Sequence, residues 1–410
     1  MKYYIILQPS IYSMGGEEMY TRNILLSARE NGFTPVVLHS NMAEDKIYID
    51  ALKPFEKYGF PEFRYEPCVV SKRRKDKLLK RLENILQGCE SESIVESHEI
   101  LVAEWGEWMA EKLKIRHFAY MLLEHNTLTF RPLYDFFRFK YDRHELAGIV
   151  KETIPDMFKH YASDIIGYSL PAYCSNTYED IPCREEYKVK TADFTIGSLG
   201  RTNKQYVLPM VDAFVNFVQK HSQKTFNILY VGGSMDKSSE KEVVRRLSSL
   251  PNAHLIFTGM LFPIPIELVR QMDVCVATAG SCYVSYNCGV PTISLDGNDS
   301  KAIGIYGKTT RNTLFRSDKE PQIDIEDLLE EILMKRKYEK EDRLELVNVD
   351  FSSQWKFVDE MSKKQDYFDI SKINYPLRGK LLSLFLGFYY GLSSKSILRK
   401  FFAKLISLTR

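Results

Sequence analysis

The sequence predicts an α/β protein made of two facing Rossmann-like halves, followed by a basic amphipathic tail. Three observations predict this class. Short apolar runs recur along the chain, glycine-bearing turns follow several of them, and stretches with helical spacing separate them. At 410 residues the chain exceeds what one core usually organises, and 44% hydrophobic residues suffice to fill two.

The first element, Met1-Lys2-Tyr3-Tyr4-Ile5-Ile6-Leu7, reads as a buried strand; its apolar run is too short for a signal peptide and no small-residue cleavage site follows it. A Gly15-Gly16 turn and a helix reaching Asn31-Gly32 follow, and Pro35 to Leu38 makes the next strand. The same order recurs at Ile94 to Ser97, a helix around Trp105 to Lys114, and His117 to Leu122; Ala162 to Tyr168 is expected to close this half with a short strand. The pattern lapses between Cys174 and Lys190, which reads as a crossover. In the second half, strands are expected at Phe194–Gly197, Asn227–Val231, His254–Phe257, Val274–Val276 and Thr292–Leu295, with helices at Leu208–Gln219 and Glu240–Leu250 among them. The expected domains are 1–180, 181–350 and 351–410.

Charge narrows the function. With 56 basic and 54 acidic residues, net +2, no broad basic field exists to drive nucleic-acid binding. Seven cysteines, odd in number and mostly in apolar segments, read as reduced cytoplasmic thiols. No His/Cys group has zinc spacing, so no metal is expected.

Doubly wound sheets bind ligands at the carboxyl ends of their strands, where helix N-termini attract phosphate. Four loops qualify. Gly15 and Gly16 would let backbone approach an anion, although a plain tight turn has the same look. Gly200, Arg201 and Lys204 follow a strand with two cations suited to a diphosphate, or form an ordinary solvated loop. Gly280 and Ser281 precede a helix and would expose amides, as would a tight structural connection. His98 and His125 end strands of the first half and would project toward the cleft; elsewhere histidines are more often structural.

In order, these residues resemble GT-B glycosyltransferases of the large retaining, nucleotide-sugar-dependent group that builds bacterial glycans of the capsule and lipopolysaccharide type. Gly15-Gly16-Glu17-Glu18 is similar to its N-terminal Gly-Gly-x-Glu loop, and Val95-Glu96-Ser97-His98-Glu99 to the strand end carrying its active-site histidine. Ser175-Asn176 resembles its interdomain region, and Arg201 with Lys204 its diphosphate clamp. Val231-Gly232-Gly233, Phe257-Thr258-Gly259, Asp273-Val274 and Gly289-Val290-Pro291 then follow in the family's order. One feature departs: the family's two glutamates eight positions apart are missing, with Val284 standing where the ribose glutamate would be.

The resemblance implies transfer of a sugar from a nucleotide diphosphate-sugar to a glycan or lipid-linked acceptor, with no further cofactor and no metal. The phosphates would lie at Gly16, Arg201, Lys204 and Ser281, the base near Gly259 and Met260, and His98 on the donor, with His125 a second candidate. A sugar-nucleotide epimerase would use the same frame but needs acid/base carboxylates. A silent nucleotide-sugar-binding protein would explain the missing glutamates. After Asp369 the chain holds eight cations and no acid, interleaved with Leu381 to Tyr390 and Phe401-Phe402. The apolar run falls short of the roughly 20 residues that span a bilayer. Residues 375–410 would lie on the inner face of the cytoplasmic membrane, or pack as a helix on the body.

Overall fold

The computed structural model describes residues 1–11, 15–40, 50–123, 126–128, 130–175, 177–234, 237–346, 348–364, 366–373 and 375–392. The chain divides into two compact units: Met1–Tyr12, Tyr20–Tyr173 and Asp350–Arg410 form one, and Ser13–Met19 with Cys174–Val349 the other. The stretch expected as a separate segment, 351–410, thus groups with the first unit.

The first unit is a six-stranded parallel sheet in the order β3-β2-β1-β4-β5-β6. Its strands are β1 (Tyr3–Gln8), β2 (Thr34–His39), β3 (Glu56–Gly59), β4 (Ile94–His98), β5 (Arg116–Met121) and β6 (Leu146–Gly148). Every residue of β1 is buried. This is why it reads as an unbroken apolar run: helices cover both faces of a parallel sheet. The helices are α1 (Gly16–Glu30), α2 (Lys72–Ile85), α3 (Ile100–Leu113), α4 (Arg131–Asp142) and α5 (Thr153–Phe158). Residues 162–168 form no strand. Ser169 makes one isolated bridge to Gly148, and Ile166 stays exposed, so its apolar neighbours had suggested more order than they supply.

The second unit repeats the strand order as β10-β9-β8-β12-β13-β14. It contains β7 (Tyr178–Glu179), β8 (Phe194–Leu199), α6 (Val207–Lys220), β9 (Phe226–Val231), α7 (Lys237–Leu247) and β10 (Ala253–Phe257). After them come β11 (Ile264–Pro265), α8 (Ile266–Arg270), β12 (Val274–Ala277), α9 (Gly280–Asn287), β13 (Thr292–Leu295), β14 (Ala302–Ile305) and α10 (Ile325–Leu329). Only β14 runs antiparallel in the large sheet, beside β13, while β7 and β11 make a separate two-stranded pair.

The closing helices are α11 (Ser352–Glu360) and α12 (Leu377–Gly391). Both belong to the first unit and are held there chiefly by aromatic and hydrogen-bond contacts. Trp355 stacks on Phe33 and donates its Nε1–H to Ser27 Oγ at 2.9 Å, and Phe357 packs edge-on against Phe118. The Phe368 amide donates to Glu107 Oε1 at 2.7 Å, and the Tyr375 hydroxyl to Glu104 Oε1 at 2.6 Å.

Candidate functional site: the carboxyl ends of the second sheet

In an open α/β sheet a ligand sits where the strand order reverses, outside the carboxyl ends. In the second unit that point lies between β8 and β12. The loops leaving these two strands are the ones that carry Gly200-Arg201 and Gly280-Ser281.

Gly200 ends β8 at φ +145° and donates its N–H to Val231 O at 2.9 Å. Gly232, at φ +137°, lies so close that a Cβ on it would sit 2.0 Å from the Gly200 carbonyl oxygen. Both positions therefore require glycine. The β9 and β10 loops join in turn through a bridge between Gly232 and Gly259, with Gly232 N donating to Thr258 Oγ1. Three strand ends are thus laced together with almost no side chain between them.

Six sequence-predicted positions lie along this edge. The place a Cβ would take on Gly15 is 4.0 Å from Arg201 Nη1, and that on Gly200 is 3.9 Å from Ser281 Oγ. A Cβ on Gly280 would lie 3.9 Å from Ser175 Cβ, and one on Gly16 3.5 Å from Cys174 Sγ. Gly16 opens α1 and Gly280 opens α9, so two helix N-termini point their positive ends into one neighbourhood. The Gly280 N–H meets no acceptor among the described residues. Arg201 is half-buried, whereas Lys204 is exposed in the turn that leads into α6. Tyr206 is pushed up to about 12 by burial, with the Arg201 charge pulling the other way. Met260 is partly exposed beside Gly259, at the outer end of the same edge.

Other features here have no signature in sequence. Thr202 Oγ1, Ser234 Oγ and Ser239 Oγ form a triangle of hydroxyls at 2.9–3.0 Å next to Arg201. Only Thr202, adjacent to the arginine, could have been suspected. Residues 312–316 cross the ends of β12 and β13: Thr313 O accepts from Ala279 N, Leu314 O from Gly297 N, and Asp296 Oδ2 from Arg316 N. This excursion occupies the Ala279 amide, immediately before Gly280. Val284 is buried, so nothing at that position replaces the missing ribose carboxylate.

One of the two histidines departs from expectation, and the other is not described. His125, Ser13, Met14 and Asn176 lie outside the described residues. His98 does not project into an opening: its side chain is 0% exposed. Its Nε2 lies 3.0 Å from Glu96 Oε1, and Glu96 also accepts from the Tyr4 and Tyr20 hydroxyls at 2.5 and 2.7 Å. Glu96 and His98 share a face of β4 because strand side chains alternate. The sequence places them one pleat apart, and Tyr20 and Tyr120 close over the imidazole.

On the opposite face of β4, Ser97 Oγ contacts His117 Nε2 at 2.6 Å, and His117 Nδ1 contacts Glu107 Oε2 at 2.8 Å. The order is that of a nucleophile triad. It is sealed, however, since Ser97 is fully buried and a Cβ on Gly106 would strike His117 at 2.5 Å. Lys140 completes the cluster, donating to Glu107, Glu145 and the His117 carbonyl at 2.7–2.8 Å. These groups fasten the first unit and the closing segment together.

With this geometry in hand, comparison with solved structures identifies the fold. A glycosyltransferase from Rickettsia africae superposes with a TM-score of 0.50 at 13% identity, over 82% of this chain and 88% of that one. The fold is GT-B. Anabaena Alr3699/HepE, determined in complex with UDP and glucose, aligns over 99% of both chains at 11% identity with a TM-score of 0.48. The UDP-GlcNAc 2-epimerase from Neisseria meningitidis, determined bound to UDP-GlcNAc, aligns over 71% of this chain and 81% of its own at 13% identity, with a TM-score of 0.41. No family model and no curated protein matches the sequence. At these identities the likeness describes architecture.

Proposed function

We propose that the protein is a glycosyltransferase that moves a sugar from a nucleotide diphosphate-sugar to a glycan or lipid-linked acceptor of cell-surface polysaccharide synthesis. The observation that carries this reading is the convergence of Gly15-Gly16, Gly200-Arg201 and Gly280-Ser281 at the strand-order reversal of the second unit. Bare main-chain donors, two helix N-termini and a guanidinium fork suit one ligand class above others, a pyrophosphate.

The chemistry follows from charge. As the bond between the anomeric carbon and the diphosphate oxygen breaks, negative charge grows on the leaving phosphates. Arg201 and the amides near Gly16 and Gly280 are fixed before that happens, so they stabilise the transition state more than the bound donor. Lys204, on an exposed turn, adds a mobile charge, and on this reading the cations do what a divalent ion does elsewhere. The base would lie toward Gly259 and Met260. Because the family's carboxylate pair is missing, the stereochemical outcome is left to experiment. His98, buried against Glu96, is assigned to holding the first unit together. We place the enzyme in the cytoplasm, with the 375–410 stretch meeting the membrane where a lipid-linked acceptor would be.

Incubation with a panel of nucleotide diphosphate-sugars tests the reading. Release of nucleotide, slow alone and faster with an acceptor extract, supports transfer. Interconversion of donors would instead identify an epimerase, and binding without turnover a silent protein.

A further inference from the structure

We propose that α2 and α12 together form one docking surface for an anionic lipid bilayer, with α12 supplying the inserted apolar stripe and α2 the headgroup contacts. This builds on the proposed membrane contact of the tail and adds to it a second element, from residues 72–85, which the tail reading did not involve.

On α12, Leu377, Leu381, Leu384 and Phe388 recur at helical spacing, so they share one face. All four are exposed, from 74% at Leu377 to 46% at Leu384, and Leu382 beside them is 55% exposed. The opposite face is occupied. Ser383 Oγ accepts from the Glu66 amide at 3.2 Å, and Gly387 abuts the Tyr65 ring so closely that a Cβ there would lie 2.3 Å from it. The helix is therefore fixed to the body at Ser383 and Gly387 and presents Leu377, Leu381, Leu384 and Phe388 on its exposed face. This arrangement reverses the usual amphipathic rule. Arg378 and Lys380 flank the stripe, and the sequence beyond adds Lys395, Arg399, Lys400, Lys404 and Arg410 without one acidic residue.

The second element lies beside it. Helix α2 carries seven cations against two carboxylates. Leu78 and Leu82 are its buried face, while Arg73, Lys77 and Lys80 are exposed on the other side and form no ion pair among the described residues. Tyr65 connects the helices physically, touching Gly387 of α12 on one side and lying under the Arg74 guanidinium at 5.7 Å on the other. Exposed leucines and phenylalanine next to unpaired cations match the two layers of an anionic membrane surface, acyl chains under phosphate headgroups. A duplex nucleic acid would engage α2 but leave the α12 stripe in water.

Flotation of the full chain with vesicles of phosphatidylcholine, with and without phosphatidylglycerol, tests this at low and high salt. Wild type is expected to float with the anionic vesicles and to be released by salt. R73Q/K77Q/K80Q should weaken partitioning about fivefold per cation, roughly a hundredfold in all. L377S/L381S/L384S should weaken it at least tenfold while far-UV dichroism and the melting midpoint stay at wild-type values, since these side chains are largely exposed already. No flotation of wild type, flotation unchanged in both variants, or an α2 variant that loses only duplex DNA binding would each overturn the proposal. So would loss of flotation that tracks an α12-dependent dimer in sedimentation. Donor turnover measured without vesicles separates the two readings: turnover without flotation defeats this inference alone, and flotation without turnover defeats only the transferase assignment.

Discussion

Gly232 stands against Gly200 so tightly that a single added Cβ would come within 2.0 Å of the Gly200 carbonyl oxygen. This contact holds the β8 and β9 strand ends in register and sets where Arg201 leaves the sheet. Gly232→Ala combines that clash with a backbone conformation that disfavours any L side chain, so it should destabilise the protein by about 2–4 kcal/mol. Urea unfolding measures the loss. Wild-type stability in this variant would mean that the two loops are free to part.

Arg201 should matter more to turnover than to stability. It is half-buried beside Gly15, and its planar fork has no equivalent in lysine. Arg201→Ala is expected to lower kcat/KM by about 10²–10³ with an identified donor, the range seen when one transition-state donor is removed. Arg201→Lys should recover only part of the loss, and Lys204→Ala should lose less. Steady-state kinetics of the three variants checks this order.

The sealed Ser97, His117, Glu107, Lys140 cluster should make the protein acid-labile. Burial, joined by the Lys140 charge, lowers His117 to about 4 from 6.5. Burial works against the Glu107 charge, yet Lys140 and His117 hold it at about 2, below 4.5. In both cases the unfolded chain takes up the proton first, so stability is present above about pH 6.5 and is lost as pH falls through 4 toward 2. His117→Gln should remove the limb between about 6.5 and 4, on the order of 3 kcal/mol. Lys140→Met removes the cation beside buried Glu107, leaving Glu145 with Arg143 alone, and should cost about 3–5 kcal/mol at neutral pH. Denaturant titrations across pH test both variants.

Glu104 has the opposite sign. Burial raises its carboxyl to about 8, with the Tyr375 hydroxyl bond pulling it partly back. The unfolded chain ionises there from about 4.5 upward while the folded one keeps its proton. Stability from this group therefore falls as pH rises from 4.5 to 8. Glu104→Gln retains an acceptor for Tyr375 and should raise stability at pH 8 by a few kcal/mol, on the order of the full shift. No gain at pH 8 would mean that the native carboxyl is already ionised.

What could be read from the sequence follows a physical divide. Parallel strands buried in a sheet announce themselves as apolar runs, so β1, β2, β4, β5 and, in the second unit, β8, β9, β10, β12 and β13 were visible, whereas the two-residue β7 and β11 and the antiparallel edge strand β14 were not. The loops that follow β8 and β12 were located for the same reason. Short or mixed elements were not: β3 is Glu-Lys-Tyr-Gly, and α2 is so charged that only Leu78 and Leu82 mark its inner face. The positions of Gly200, Arg201 and Ser281 after β8 and β12 were legible, but their mutual approach depends on a fold that brings together residues about 80 positions apart. His98 illustrates the limit most clearly. Its position at the end of β4 was legible, whereas its enclosure by Glu96, Tyr20 and Tyr120 depends on residues scattered over a hundred positions. Nor could the sequence foretell that the chain returns at Asp350 to complete the first unit.

Calorimetric titration of the wild-type protein and Arg201→Ala with a panel of nucleoside diphosphates tests the convergence on pyrophosphate most directly. At least one diphosphate should bind wild type more tightly than its corresponding monophosphate does, and lose tenfold or more in affinity when Arg201 is removed. Binding that is indifferent to the second phosphate and to Arg201, or no binding by any member of the panel, would contradict it.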